Sequence, residues 1–191
     1  MTRVVLGVSG ASGAMLALAC ARDLARRGAS IDLVVSAGGE RTFALEDGLA
    51  ARAELSALAA REHAIGDVGA QIASGSCPVA GMVVAPCSMR SLSAIAHGLD
   101  DNLLTRAASV QLKERRPLVL LAREAPLSLV HLRNMVLATE AGAIILPPVP
   151  AFYLQPDSLA DAVAEIAARA VDLLRLGPAE ARPWQPAGPD M

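Results

Sequence analysis

The sequence predicts a doubly wound α/β fold, a three-layer sandwich with a mainly parallel sheet between two layers of helices. Three observations lead there. Short apolar runs alternate with stretches of helical composition along almost the whole chain. These runs are near-continuous rather than alternating, as strands covered on both faces are. Glycine, proline or serine clusters follow the runs, where the ligands of such sheets are held.

The elements can be taken in order. Residues 3–8 form an apolar first strand that runs into glycines, and residues 13–27 have helical composition, closed by Gly28 as a C-terminal cap. Residues 30–36 are a second β-branched run; residues 38–45 open another helix, and residues 49–61 make an Ala- and Leu-rich one. Residues 65–78 are glycine-broken and read as irregular with one short strand. Residues 80–85 are a strand stopped by Pro86, followed by helices over 88–97 and 102–113. Residues 118–122 are a strand, 127–141 a helix capped by Gly142, 143–146 a strand ended by two prolines, and 159–174 the last helix. Residues 177–191 carry four prolines and read as an extended tail on a single domain spanning residues 1–176.

Composition narrows the function classes. The chain has 191 residues, 53% of them hydrophobic but only 2% aromatic, so its core is built from Ala, Val, Leu and Ile. That aliphatic surplus also suits a surface hidden in a homo-oligomer. With a net charge of −2 and no long basic stretch, nothing invites nucleic acid. No apolar run reaches the roughly 18 residues of a membrane span. The first residues are already a strand and not a secretion signal, so a cytoplasmic protein is expected. Cys20, Cys77 and Cys87 are widely spaced, as are His63, His97 and His131. Free thiols and no metal site follow.

Chemistry is sought after each strand. Between Gly7 and Gly13 the glycines let the backbone approach a ligand, and the helix beyond offers N–H groups and a positive dipole end to a phosphate. The spacing is GxxGxxG, not the dinucleotide GxGxxG, and a tight strand–helix turn would look the same. Ser36 to Gly39 leave room for a ring or an ordinary loop; Glu46, just beyond, is a lone carboxylate that solvent would suit equally. Cys87, Ser88, Met89 and Arg90 open a helix with a serine at its cap, a second anion or ring-edge site. No histidine lies near Cys87 in sequence, so a packed thiol fits better than a nucleophile. Arg123 and Glu124 directly follow a strand, a pair able to bind a phosphate and move a proton. Tyr153 ends a proline-framed segment, and Arg169 follows one helix later.

Together these stretches resemble one family, the flavin prenyltransferases of the UbiX type. The resemblance rests on GVSGASGA at 7–14, ASGS at 73–76, APCSMRSLSAIAHG at 85–98, DNLLTRAASVQLKERRPLVLLARE at 101–124, PLSLVHLRNM at 126–135 and GAIILPPVPAFY at 142–153. It implies a Rossmann-like, flavodoxin-like fold, a dodecamer, and a metal-independent enzyme. That enzyme would take reduced FMN and dimethylallyl monophosphate, form bonds to flavin N5 and C6, and pass prenylated FMN to a UbiD-type decarboxylase. The resemblance further implies that Gly10, Ala11, Ser12, Ser36, Cys87, Ser88, Met89, Arg90 and Arg123 hold FMN, with Ser12 near N5. It implies that Lys113, Tyr153 and Arg169, with Arg106 nearby, hold the prenyl phosphate, while Glu124 handles the proton and Glu46 is a second acid. Trp184 also matches a family tryptophan. One departure stands out: where the family usually has an aromatic residue after Ser74, Gly75 and Ser76, this chain has Cys77.

Two rivals share some of these features. A cysteine decarboxylase of the same fold would need a histidine, which residues 67–72 lack. A non-catalytic FMN carrier would have no use for the second set of phosphate-binding residues, Lys113, Tyr153 and Arg169 with Glu124.

Overall fold

The structure is a computed structural model and describes residues 2–185. Six strands lie in the order β3-β2-β1-β4-β5-β6, every pairing parallel. They are β1 (Arg3–Val8), β2 (Ser30–Val35), β3 (Arg61–His63), β4 (Met82–Cys87), β5 (Leu118–Ala122) and β6 (Ile144–Ile145). The helices are α1 (Ala14–Arg26), α2 (Ala37–Glu46), α3 (Gly48–Leu58), α4 (Met89–Ala96), α5 (Leu103–Lys113), α6 (Leu129–Glu140) and α7 (Leu159–Asp172). The strand order reverses between β1 and β4, and the crevice at that switch point is where a doubly wound sheet holds ligands.

Every residue of β4 and β5, and all but the first of β1 and β2, is buried, which is why these strands read as unbroken apolar runs. One face packs Leu16, Leu24, Leu55, Phe43 and Ile166 from α1, α3, α2 and α7. The other packs Ile72, Leu92, Leu103, Leu104 and Ala138, chiefly from α4, α5 and α6. Gly28 and Gly142, with φ of 72° and 108°, close α1 and α6 in the left-handed region that favours glycine.

Three expectations change. The short strand lies at Arg61–His63, ahead of residues 65–78, which instead hold a single 3₁₀ turn at Gln71–Ala73. The helix expected over 49–61 therefore stops at Leu58, since its last residues pair with β2. Pro86 does not stop its strand: β4 continues to Cys87, and its pairing with β5 shifts between Val84 and Cys87. A proline has no N–H to give, so the ladder accommodates it at an irregularity. The tail expectation is met only in part, since residues 186–191 lie outside the described ones; residues 177–185 contain neither helix nor strand. Among the described residues no helix is long and apolar enough to cross a membrane.

Candidate functional site

Three loops at the carboxyl ends of β1, β2 and β4 are locked together by backbone. A Cβ added to Gly10 would lie 2.8 Å from the Gly38 Cα, so the β1 and β2 loops touch main chain to main chain. Ser9, buried, donates its hydroxyl to the Pro86 carbonyl at 3.0 Å and accepts the Ser88 N–H at 2.7 Å. Sequence reasoning passed over Ser9; a lone serine among glycines carries no sign that it will stitch β1 to β4.

Each of the three loops opens a helix, and the three helix starts differ. Ser36 caps α2 by accepting the Gly39 N–H at 3.1 Å, and Ser88 caps α4 by accepting the Ser91 N–H at 3.3 Å. The first-turn N–H groups of Met89 and Arg90 have no acceptor among the described residues, leaving an anion-ready end. At α1 the first N–H groups are already taken. The Glu46 carboxylate, reaching across from α2, accepts the N–H groups of Gly13 at 2.8 Å and Ala14 at 3.0 Å. The chain's own carboxylate takes the first N–H groups of the glycine loop's helix start, while the Met15 N–H has no acceptor among the described residues. Glu46 is thus not merely solvated. Partial burial pushes its pKa up, but Gly13, the Ser12 hydroxyl, Ala14 and the nearby positive Arg123 outweigh that, and it is held below the usual glutamate value. It is an anion at neutral pH.

Ser12, Glu46, Arg123, Pro148, Pro150 and Ile166 are among the residues lining a cavity of about 540 Å³. Ile166 also lines a cavity of about 150 Å³ that contains Tyr153 and Arg169. The two cavities share Ile166, and residues of the segment after β6 alternate between them: Pro147, Val149 and Ala151 line the smaller, Pro148 and Pro150 the larger. Tyr153 is half exposed and Phe152 more so, which keeps the tyrosine ring at a surface and out of the core. Glu124, at the end of β5, is exposed, its carboxylate accepting the Ala125 N–H at 3.0 Å. Cys87 is fully buried, and burial pushes its thiol up to about 12, so it is no thiolate at neutral pH. Its carbonyl accepts the Arg123 N–H at 3.0 Å and so helps to set where that residue leaves the sheet.

Of the expected site residues, Ser12, Glu46, Arg123, Tyr153 and Arg169 line these two cavities; the others do not, and three of those are engaged elsewhere. Lys113 lies at the end of α5, on the opposite helix layer from Arg169, and pairs with Glu114 against Gly75. Arg106, also on α5, holds Asp100 and the Ala73 carbonyl. Arg90 pairs with Asp101 on the surface. Cys77 stands near Lys113, its carbonyl and that of Gly75 held by Arg116 at 2.9 and 2.7 Å. Beside Cys77 is a cavity of about 360 Å³ lined by Arg3, Gln71, Ser74 and Ser76. The molecule thus carries two separate clusters: one at the carboxyl ends of the strands, and one around Lys113 and Cys77 at the amino ends. No group of three or more potential metal-ligating side chains occurs among the described residues.

The Flavoprotein family model matches residues 1–169. The flavin prenyltransferase UbiX of Neisseria meningitidis serogroup B is 48% identical over 183 residues, which span 96% of each chain. That of Thauera aromatica is 50% identical over 170 residues, covering 89% of this chain and 87% of the relative. A crystal structure of AnUbiX (PadA1) in complex with FMN and dimethylallyl pyrophosphate superimposes with a TM-score of 0.93 at 43% identity, covering 98% of this chain and 99% of that one. A dodecameric FMN-dependent UbiX-like decarboxylase from Escherichia coli O157:H7 superimposes with a TM-score of 0.90 at 41% identity, covering 97% and 100%.

Proposed function

The chain belongs to the flavin prenyltransferases of the Flavoprotein family, and from that premise we propose that it transfers a dimethylallyl group from dimethylallyl monophosphate to N5 and C6 of reduced FMN. The product, prenylated FMN, would then serve a UbiD-type decarboxylase. One observation carries the assignment of parts: the cavity of Ser12, Glu46 and Arg123 and the cavity of Tyr153 and Arg169 share Ile166 in their linings. A flavin ring edge in the first and a phosphate in the second would be neighbours across Ile166.

The residues fit that division of labour. The close-packed Gly10 and Gly38 backbones, the capped starts of α2 and α4, and the free Met89 and Arg90 N–H groups suit a flat ring and its phosphate. Reduced FMN supplies the nucleophilic N5 and C6. As the carbon–oxygen bond of the donor breaks, negative charge gathers on the departing phosphate, which Arg123, Arg169 and Lys113 are suited to stabilise. Glu124 gives a proton to that phosphate, and Glu46, anionic and hydrogen-bonded to Ser12, fixes the Ser12 hydroxyl. Apolar walls such as Pro148 and Ile166 keep water from the allyl cation. No nucleophilic side chain is needed, in keeping with the buried, protonated Cys87.

Lys113 and Arg106 reach this site from another copy of the chain in a homo-oligomer. Leu129, Val130, Leu132 and Val136 of α6 are exposed, a face suited to such assembly. Anaerobic incubation with reduced FMN and dimethylallyl monophosphate tests the function: mass spectrometry should find one added C5 unit on the flavin. Flavin that stays bound but unmodified would indicate a carrier. Running the diphosphate in parallel identifies the donor. Cys77→Phe should fill the neighbouring cavity with a π face toward the cation and raise turnover; an unchanged rate with FMN still bound removes that role for position 77.

A further inference from the structure

Glu165, Arg169 and Asp172 recur on one side of α7, at spacings of four and three residues. A glutamate four residues before an arginine is the arrangement that pairs along a helix. Here that pair does not form. Glu165 instead takes Arg182 of the tail, whose Nε donates at 2.5 Å and whose backbone N–H donates at 3.3 Å. Among the described residues Arg169 has no carboxylate partner.

The tail is brought to that position by a buried clamp. The Asp172 carboxylate, 3% exposed, accepts the N–H groups of Glu180 and Ala181, each at 2.9 Å, and Arg27 Nη1 at 2.7 Å. Arg26 also pairs with Glu180, at 2.5 Å. Held so, Ala181 and Arg182 form part of the wall of the cavity that contains Tyr153 and Arg169.

We propose that Arg182 is a positioning residue: by occupying Glu165 it leaves the Arg169 guanidinium free for the phosphate of the prenyl donor. This rests on reading that cavity as the donor site. Released, Glu165 would pair with Arg169 and would also set a negative charge where a phosphate has to bind; both effects oppose binding.

The test compares wild type, Arg182→Ala and the double variant Arg182→Ala with Glu165→Gln, at saturating reduced FMN and varied dimethylallyl monophosphate. Arg182→Ala should raise KM about fivefold, the upper end for a partly exposed ion pair, with kcat and FMN affinity held. The double variant should recover most of that loss, which general damage to the tail would not allow. An unmoved KM in Arg182→Ala, or a double variant as weak as the single one, overturns the proposal. If wild type makes no adduct, the donor-site reading fails as well; wild-type adduct with an unmoved KM sinks the role of Arg182 alone.

Discussion

At the scale of single residues, the site is made by charges whose partners lie far away in sequence. Glu124 follows β5, is exposed, and among the described residues has its carboxylate bonded to its neighbour's N–H. Glu124→Gln should keep FMN binding and slow adduct formation at least about tenfold, the low end for a positioned proton donor; wild-type turnover would remove it from that role. Asp32 is the contrasting case. It is buried within β2, bound by Arg3 at 2.9 and 3.0 Å and by His63 at 2.9 Å. Burial pushes its pKa up, yet the Arg3 and His63 hydrogen bonds prevail and hold it below the ordinary aspartate value. A carboxylate whose folded pKa is depressed stabilises the fold above its unfolded value, about pH 4, and loses that contribution as the pH falls through the folded one. Glu46 and Asp172 are depressed as well, so unfolding midpoints should fall steeply below about pH 4 and stay flat from there to neutrality. Asp32→Ala, by stranding Arg3 and His63, should cost about 3 kcal/mol in denaturant unfolding at pH 7. Arg3 and Asp32 both stand in the sequence as single charges in apolar runs, and nothing local says that they meet.

At the scale of elements, most of the fold was legible. Strand β5 was read with both ends correct, and α1, α4, α5 and α7 to within two residues, because apolar runs and capping glycines are local signals. The misreadings fall where neighbours override local chemistry. Pro86 stays in β4 because the sheet absorbs it at an irregularity, and Arg61 to His63 become a strand because the edge of β2 is there to pair with. The loop between β1 and α1 was read as a phosphate cradle from its glycines. What requires Gly10 is instead the adjoining backbone of Gly38. Gly10→Ala should force the two loops apart, cost about 1–3 kcal/mol of stability and weaken FMN binding, as measured by thermal melts and flavin titration. A variant that melts and binds like wild type would show the close approach to be dispensable.

At the scale of the whole molecule, Arg169 on α7 and Lys113 on α5 stand on opposite helix layers of one chain, and the proposed donor site needs both. Arg169→Ala and Lys113→Ala should each be nearly inactive alone. Dissociated and reassembled together, they should regain activity, because some interfaces then pair an intact Arg169 with an intact Lys113 from a different copy; an inactive mixture with confirmed co-assembly would argue for sites complete in one chain. The sequence by itself determined the parallel α/β architecture and the family, since apolar periodicity, caps and motifs are written in neighbouring residues. Only the tertiary structure decided which helix start is already filled by Glu46, which loops touch at Gly10, where the tail sends Arg182, and that Lys113 and Arg169 stand apart. Those outcomes depend on distances between residues far apart in the chain, set by how sheet and helices pack.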